Sequence, residues 1–206
     1  YSYSNKLKRS TFEGYFTILT LLNTDIFYNY EYAFYDSHLI SEFENFTSHY
    51  IRLSTRPFKF LYIQGGLGTG NEIAYREEVP ELGDRFSFNT SIEVTLNNNL
   101  RIKPSINFSK LKKLDSEQYF FDGYIARFDI RYQFTNSLNF RVISEYNEFS
   151  DQFFVQPLIS WRPNSDTIFY FGGNQNYIDE FIDYNSPNYR VNSSQLFLKF
   201  QYLIKS

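Results

Sequence analysis

Arg85-Phe86-Ser87-Phe88-Asn89-Thr90-Ser91-Ile92-Glu93-Val94-Thr95-Leu96, then Asn97-Asn98-Asn99, then Leu100-Arg101-Ile102-Lys103-Pro104-Ser105-Ile106-Asn107-Phe108-Ser109, is the stretch that decides the fold. Its period is two, the signature of a strand whose faces meet different surroundings. Phe86, Phe88, Thr90, Ile92, Val94 and Leu96 share one face, and Arg85, Ser87, Asn89, Ser91, Glu93 and Thr95 the other. The alternation resumes after the asparagine turn with the same sidedness, as a hairpin requires. Pairing Leu96 with Leu100 sets Glu93 opposite Lys103, a cross-strand ion pair on the polar face.

A second hairpin follows the same logic. Tyr124, Ala126, Phe128, Ile130, Tyr132 and Phe134 lead into Thr135-Asn136-Ser137 and then Leu138, Phe140, Val142, Ser144 and Tyr146. The polar face carries Arg127, Asp129, Arg131, Asn139, Arg141 and Glu145. Pairing Phe134 with Leu138 puts Arg127 opposite Glu145 and sets Arg131 against Arg141, a costly contact unless Asp129 bridges them. That bridge is expected.

Further strands are read at Phe12 to Asn23, Ile26 to Tyr35, Tyr50 to Arg56, Phe58 to Gly68, Gln152 to Arg162, Thr167 to Asn176 and Gln195 to Ile204, about eleven in all. The connections at Asn23 to Asp25, Arg56 to Pro57, Asn97 to Asn99, Thr135 to Ser137 and Pro163 to Asp166 are short. Those at 36–49, 70–84, 110–118 and 177–193 read as longer polar loops, and the one near Ser150 is brief. Outer-membrane barrels show tight periplasmic turns and longer outer loops. The expected architecture is all-β, a transmembrane antiparallel up-and-down β-barrel with the carboxyl terminus periplasmic. Single-chain bacterial barrels have even strand numbers. Residues 1–206 are therefore expected to be the C-terminal portion of one outer-membrane barrel domain, 11–12 strands of a larger barrel, with Tyr1 to Arg9 ending a preceding strand.

Composition agrees. Aromatic residues make up 21% of the 206 residues, with 24 Phe, 19 Tyr and one Trp, yet mean hydropathy is −0.44. Rings are diluted by polar residues position by position, as in a barrel with a lipid-facing band and a polar interior. No run approaches the ~18–20 apolar residues of a membrane helix. Strands cross lipid only as a closed sheet, because every backbone polar group must be paired. Cysteine is absent, which removes disulfides, thiolate metal sites and cysteine nucleophiles. Net charge is −3 with scattered Lys and Arg, so there is no electrostatic case for nucleic acid.

Several motifs admit a chemical reading and a plainer one. Gly65-Gly66-Leu67-Gly68-Thr69-Gly70 lacks the Gly-Lys-Ser/Thr of a phosphate loop and a following helix; a strand end where small residues give room to a neighbouring backbone is favoured. His38 and His49, with Glu42 and Glu44, share one expected outer loop, but their spacing matches no compact zinc motif. Asp179, Glu180 and Asp183 have calcium-ligand chemistry, and acidic outer loops are common. Carboxylates are plentiful without an identifiable catalytic pair, and no Gly-x-Ser-x-Gly elbow accompanies the histidines. No catalytic residue, metal site or cofactor is assigned.

Phe153, Trp161, Tyr170, Phe197 and Tyr202 suit sugar stacking or interfacial girdles, and the girdle is favoured. The expected lumen-facing set is Arg52, Arg85, Glu93, Arg101, Lys103, Arg127, Asp129, Arg131, Arg141, Glu145 and Lys199. Its positive bias fits an anion-attracting lumen or a network that fills and stiffens a closed interior. Phe86, Phe88, Ile92, Phe128, Ile130, Phe140, Trp161, Leu198, Phe200 and Tyr202 are the expected lipid-facing set.

Arg141-Val-Ile-Ser-Glu-Tyr-Asn-Glu-Phe-Ser-Asp151, Gln156-Pro157-Leu158, Phe169-Tyr-Phe-Gly-Gly-Asn-Gln-Asn-Tyr177 and Leu196-Phe-Leu-Lys-Phe-Gln-Tyr-Leu-Ile204 resemble the C-terminal region of a family of uncharacterised Bacteroidota outer-membrane proteins. The resemblance is specific over roughly the last 70 residues and architectural before them. Full-length members carry an N-terminal carbohydrate-binding-module-like β-sandwich, and some bear a hydrolase label that has no residues to rest on here. The closing alternation also resembles the signal read by the barrel-assembly machinery, although Lys205 and Ser206 displace the usual terminal aromatic. The resemblance implies a lipid-embedded barrel that anchors a domain or docks other envelope subunits. A channel for small polar or anionic solutes is the alternative carried by the polar face. A surface carbohydrate hydrolase with its active site outside this chain is the third.

Overall fold

A computed structural model describes residues 9–21, 23–38, 41–97, 99–179 and 189–203. Eleven strands follow one another: β1 (Arg9–Thr20), β2 (Thr24–His38), β3 (Ser41–Phe58), β4 (Leu61–Ile73), β5 (Leu82–Leu96), β6 (Leu100–Lys113), β7 (Tyr119–Gln133), β8 (Leu138–Asn147), β9 (Gln152–Asn164), β10 (Thr167–Asp179) and β11 (Tyr189–Tyr202). They form one sheet in which each strand lies beside its sequence neighbours, from β1 to β11. The chain is thus an antiparallel up-and-down meander whose ladder begins at β1 and ends at β11.

Turn chemistry sets several reversals. Asn23 and Asn97 adopt left-handed backbone conformations at the β1–β2 and β5–β6 turns, which asparagine tolerates better than most residues. Thr135 closes the β7–β8 turn, its hydroxyl accepting from the Ser137 and Leu138 amides at 3.2 and 3.0 Å. A 3-10 turn at Glu148–Ser150 joins β8 to β9, with the Asn147 side chain accepting from the Phe149 amide.

The long polar stretch expected as a loop at 36–49 is instead strand: β2 continues to His38 and β3 begins at Ser41. Backbone pairing continues through Asp36↔Phe43, Ser37↔Glu42 and His38↔Ser41, so polar side chains do not end the ladder. The β3–β4 reversal falls at Lys59 and Phe60 rather than Arg56-Pro57, leaving Pro57 inside β3. The loops expected at 70–84 and 110–118 shrink to 74–81 and 114–118.

The contacts divide the chain into two compact units, described separately. One comprises the described residues of Tyr1–Pro57, Ile63–Thr90 and Asn107–Gly123, the other Phe58–Tyr62, Ser91–Ile106 and Tyr124–Ser206. In the first, buried apolar side chains are Ala33, Ile73, Ala74 and Leu111. In the second, Ile143 is the buried apolar side chain among the described residues. Among the described residues, few apolar side chains of either unit are buried.

What the second unit has instead is two unlike faces fixed by register. Arg127↔Glu145 and Arg131↔Arg141, Arg141↔Leu158 and Asn139↔Ser160, Tyr170↔Ser160 and Tyr170↔Lys199 follow one polar face across β7 to β11. The other face is traced by Phe128↔Ser144 and Tyr132↔Phe140, Phe140↔Ile159, Phe169↔Trp161 and Phe200↔Phe169. Leu198 is 75% and Phe171 54% exposed on that apolar face, whereas the Asp129 side chain on the polar face is 14% exposed. The apolar face is thus uncovered, where a soluble sheet covers it; on the polar face the Arg127 and Arg131 side chains are exposed as well, at 42% and 52%.

Candidate functional site: the charged face

In the second unit three carboxylates each hold one arginine. Glu93 Oε1 lies 3.5 Å from Arg101 Nε, Glu145 Oε2 3.2 Å from Arg127 Nη1, and Asp129 takes a fork from Arg131, Nε to Oδ1 at 3.1 Å and Nη2 to Oδ2 at 3.0 Å. The Arg127–Glu145 pair and the Arg131–Arg141 opposition stand in the expected register, but the expected bridge is only half formed: Asp129 bonds to Arg131 and does not reach Arg141. The partner of Glu93 differs: Arg101 reaches it with its longer planar guanidinium, where Lys103 was expected. Lys103 and Arg141 meet no carboxylate within 4 Å among the described residues, and the Arg141 Nε is buried without a hydrogen-bond partner.

Two cavities open over these groups. One, of about 370 Å³, is lined by Glu93, Arg101, Lys103, Ser105, Arg127, Asp129 and Arg131. The other, of about 380 Å³, includes Arg101, Arg131, Arg141, Gln133, Asn139 and Ser160 in its wall. Arg101 and Arg131 belong to both. Lys199 shares the polar face at β11, its ammonium 5.9 Å from the Tyr170 ring centroid.

The first unit has its own polar rows. Arg52 Nη2 lies 3.7 Å from Asp25 Oδ2, and Ser54 donates to the same aspartate; the Arg52 guanidinium also sits 5.1 Å from the Phe27 centroid. Arg85 Nε lies 3.2 Å from Glu72 Oε2, and Arg9 pairs with Glu31 and, at 3.7 Å, with Asp36. The glycine run lies inside β4. A Cβ on Gly66 would strike the Tyr50 hydroxyl, which accepts from Asn89 Nδ2 at 3.3 Å. Gly70, at φ +128°, packs its Cα against the Thr47 and Ser48 backbone. Close approach explains these glycines, to a side chain at Gly66 and to a neighbouring backbone at Gly70, although the run lies within β4 rather than at the expected strand end.

His49 lies within β3, with its Nδ1 2.8 Å from the Tyr28 hydroxyl and its ring 5.1 Å from that of Tyr30. Glu42 and Glu44 are also strand residues, and no group of three metal-ligating side chains occurs among the described residues. Glu180 and Asp183, like the terminal Ile204 to Ser206, lie outside the described residues, and the Asp179 side chain does too.

The aromatic residues sort by face. Phe153, Trp161 and Tyr202 lie on the apolar face, whereas Tyr170 and Phe197 lie on the polar one with Lys199. On the apolar face two bands appear. Trp161, Phe169 and Phe200 form a chain of rings at 5.3 and 5.1 Å; Tyr124–Tyr146 and Phe153–Tyr177 pair at 5.8 and 6.0 Å. The bands are eight residues apart in β9 (Trp161, Phe153) and in β10 (Phe169, Tyr177). Eight residues span roughly 26 Å along a strand. In the first unit, Lys110 lies 5.7 Å from the Phe86 and Tyr119 centroids, and Phe86 meets Phe108 at 6.1 Å. Phe88 and Ile92 are exposed.

No family model, curated protein or solved structure matches the chain.

Proposed function

We propose that this chain is the wall of an integral outer-membrane β-barrel that serves as a membrane anchor or structural subunit of an envelope complex. The observation that carries the reading is the uncovered apolar face of the sheet: rows of exposed apolar and aromatic side chains, with paired charges on the other face. An uncovered apolar face of that extent needs an apolar phase or a partner, and lipid supplies one along the whole band between the two aromatic rows. Antiparallel connectivity and tight turns support the same reading, as does the resemblance to the Bacteroidota outer-membrane family. On it the sheet closes with further pairing at β1 and β11, the lipid bilayer is the first partner, and the barrel-assembly machinery and other envelope subunits follow.

The test is fractionation of cells producing the protein behind a secretory signal, with migration of boiled and unboiled samples compared by electrophoresis. Detergent-dependent extraction from outer membranes and a heat-modifiable band are expected. Solubility without detergent overturns the reading.

Transport of small anions is the second reading, favoured by the surplus of cations over carboxylates around the two cavities of the charged face. Planar-bilayer recordings separate the two: conductance steps with anion preference make the charged face a pathway, and silence from a verified folded barrel leaves the anchor.

A further inference from the structure

Around the two cavities on the polar face of the second unit the charge pairing is one to one, and two of the cations lining them remain. Glu93, Asp129 and Glu145 are held by Arg101, Arg131 and Arg127, which leaves Lys103 and Arg141. Arg141 stands directly opposite Arg131, its Nε is buried and without a partner, and the amide and hydroxyl side chains of Asn139, Gln133 and Ser160 line the same cavity. Arg101 and Arg131 line that cavity and also the one reached by Lys103. Asp129, the nearest carboxylate, is taken by the Arg131 fork, so the two facing guanidinium groups share a single negative charge, a costly arrangement that a bound oxyanion relieves. Guanidinium groups offer parallel N–H donors that match the oxygens of phosphate, sulfate or carboxylate.

We propose that Arg101, Arg131 and Arg141, with Lys103 beside them, form a binding site for one soluble oxyanion on this face. The inference deepens the barrel reading, since it takes the polar face to be the water-filled one. Its ligand class is a small phosphate-, sulfate- or carboxylate-bearing solute, with Asn139, Gln133 and Ser160 able to donate to the oxygens not taken by guanidinium.

The experiment is urea unfolding of the full chain in non-ionic detergent, followed by Trp161 fluorescence, with sodium phosphate, sulfate or acetate replacing sodium chloride at constant ionic strength. The midpoint is expected to rise with at least one oxyanion and not with chloride. Arg141→Gln is expected to raise the midpoint in chloride, because the opposition with Arg131 is gone, and to weaken the oxyanion response at least tenfold in half-saturating concentration. Those two effects have opposite signs, which a merely structural arginine does not produce. Lys199→Gln, on the same face but outside both cavities, keeps the wild-type response. Equal midpoints in all four salts, or an undiminished response in Arg141→Gln, overturn the site. Heat-modifiable migration is measured on the same samples, so failure to form a barrel is told apart from failure of a formed barrel to bind.

Discussion

Asp129 is the residue on which the charged face turns. It takes both bonds of the Arg131 fork, and Arg131 stands opposite Arg141. Asp129→Asn keeps the shape and removes the charge, leaving two facing guanidinium groups without their nearest carboxylate. A loss of about 1–2 kcal/mol is expected, nearer the value of a charged hydrogen bond than of an exposed ion pair, read as a lower urea midpoint in detergent. Glu145→Gln, which breaks the half-exposed pair with Arg127, is expected to cost less than about 1 kcal/mol. Equal effects of the two changes would falsify the central place given to Asp129. Gly66 tests packing rather than charge. Gly66→Ala presses a methyl group onto the Tyr50 hydroxyl, with an expected loss of about 1–3 kcal/mol. Tyr50→Phe removes the nearest clashing atom, so the double variant should recover part of that loss; if the two changes simply add, the close approach does not set the requirement for glycine.

At the scale of the element, β11 offers the clearest separation of faces, because Phe200 and Tyr202 pair with Phe169 and Thr167 on the apolar side while Gln195 pairs with Asn174 on the polar side. Phe200→Asp with Tyr202→Asp places two carboxylates where lipid is proposed, and loss of outer-membrane accumulation is expected. Gln195→Asp, on the same strand but the opposite face, should accumulate normally. Immunoblots of outer-membrane fractions decide it, and normal levels of the double variant would sink the assignment of that face. How much of an element could be read beforehand depended on whether its side chains alternate. The β7–β8 register follows from Phe134 and Leu138 because each neighbour on both strands keeps its sidedness through Gln133↔Asn139 and Arg127↔Glu145. Residues 36–49 hid their strand, since Ser37, His38, Ser41, Glu42 and Glu44 carry no apolar rhythm, and backbone pairing does not show in side-chain type. The turn at Lys59 and Phe60 was misplaced for a related reason: Pro57 reads as a breaker, although a strand tolerates proline where no ladder donor is needed. On the charged face, alternation shows which residues share a side but not that Glu93 pairs with Arg101 rather than Lys103, because sidedness does not choose among neighbours on one face.

For the molecule as a whole, the consequence lies at β1 and β11. Each strand of the meander runs opposite to its neighbour, so with eleven strands the first and last run in the same direction. Joining them directly would make a parallel pair in an antiparallel sheet, whereas an odd number of intervening strands makes every pairing antiparallel and the total even, as in single-chain bacterial barrels. If the sheet lies in lipid, as proposed, an edge without such pairing presents a row of N–H and C=O groups that lipid cannot satisfy, at several kcal/mol for every group left in hydrocarbon. Hydrogen exchange of the complete protein folded in detergent micelles measures the outcome strand by strand. Amides of β1 and β11 are expected to be protected to the same order as those of β6, which has a strand on both sides. Exchange within seconds along the outer edges of β1 and β11, with β6 protected for hours, would mean a sheet that stays open and would remove lipid as the phase covering its apolar face.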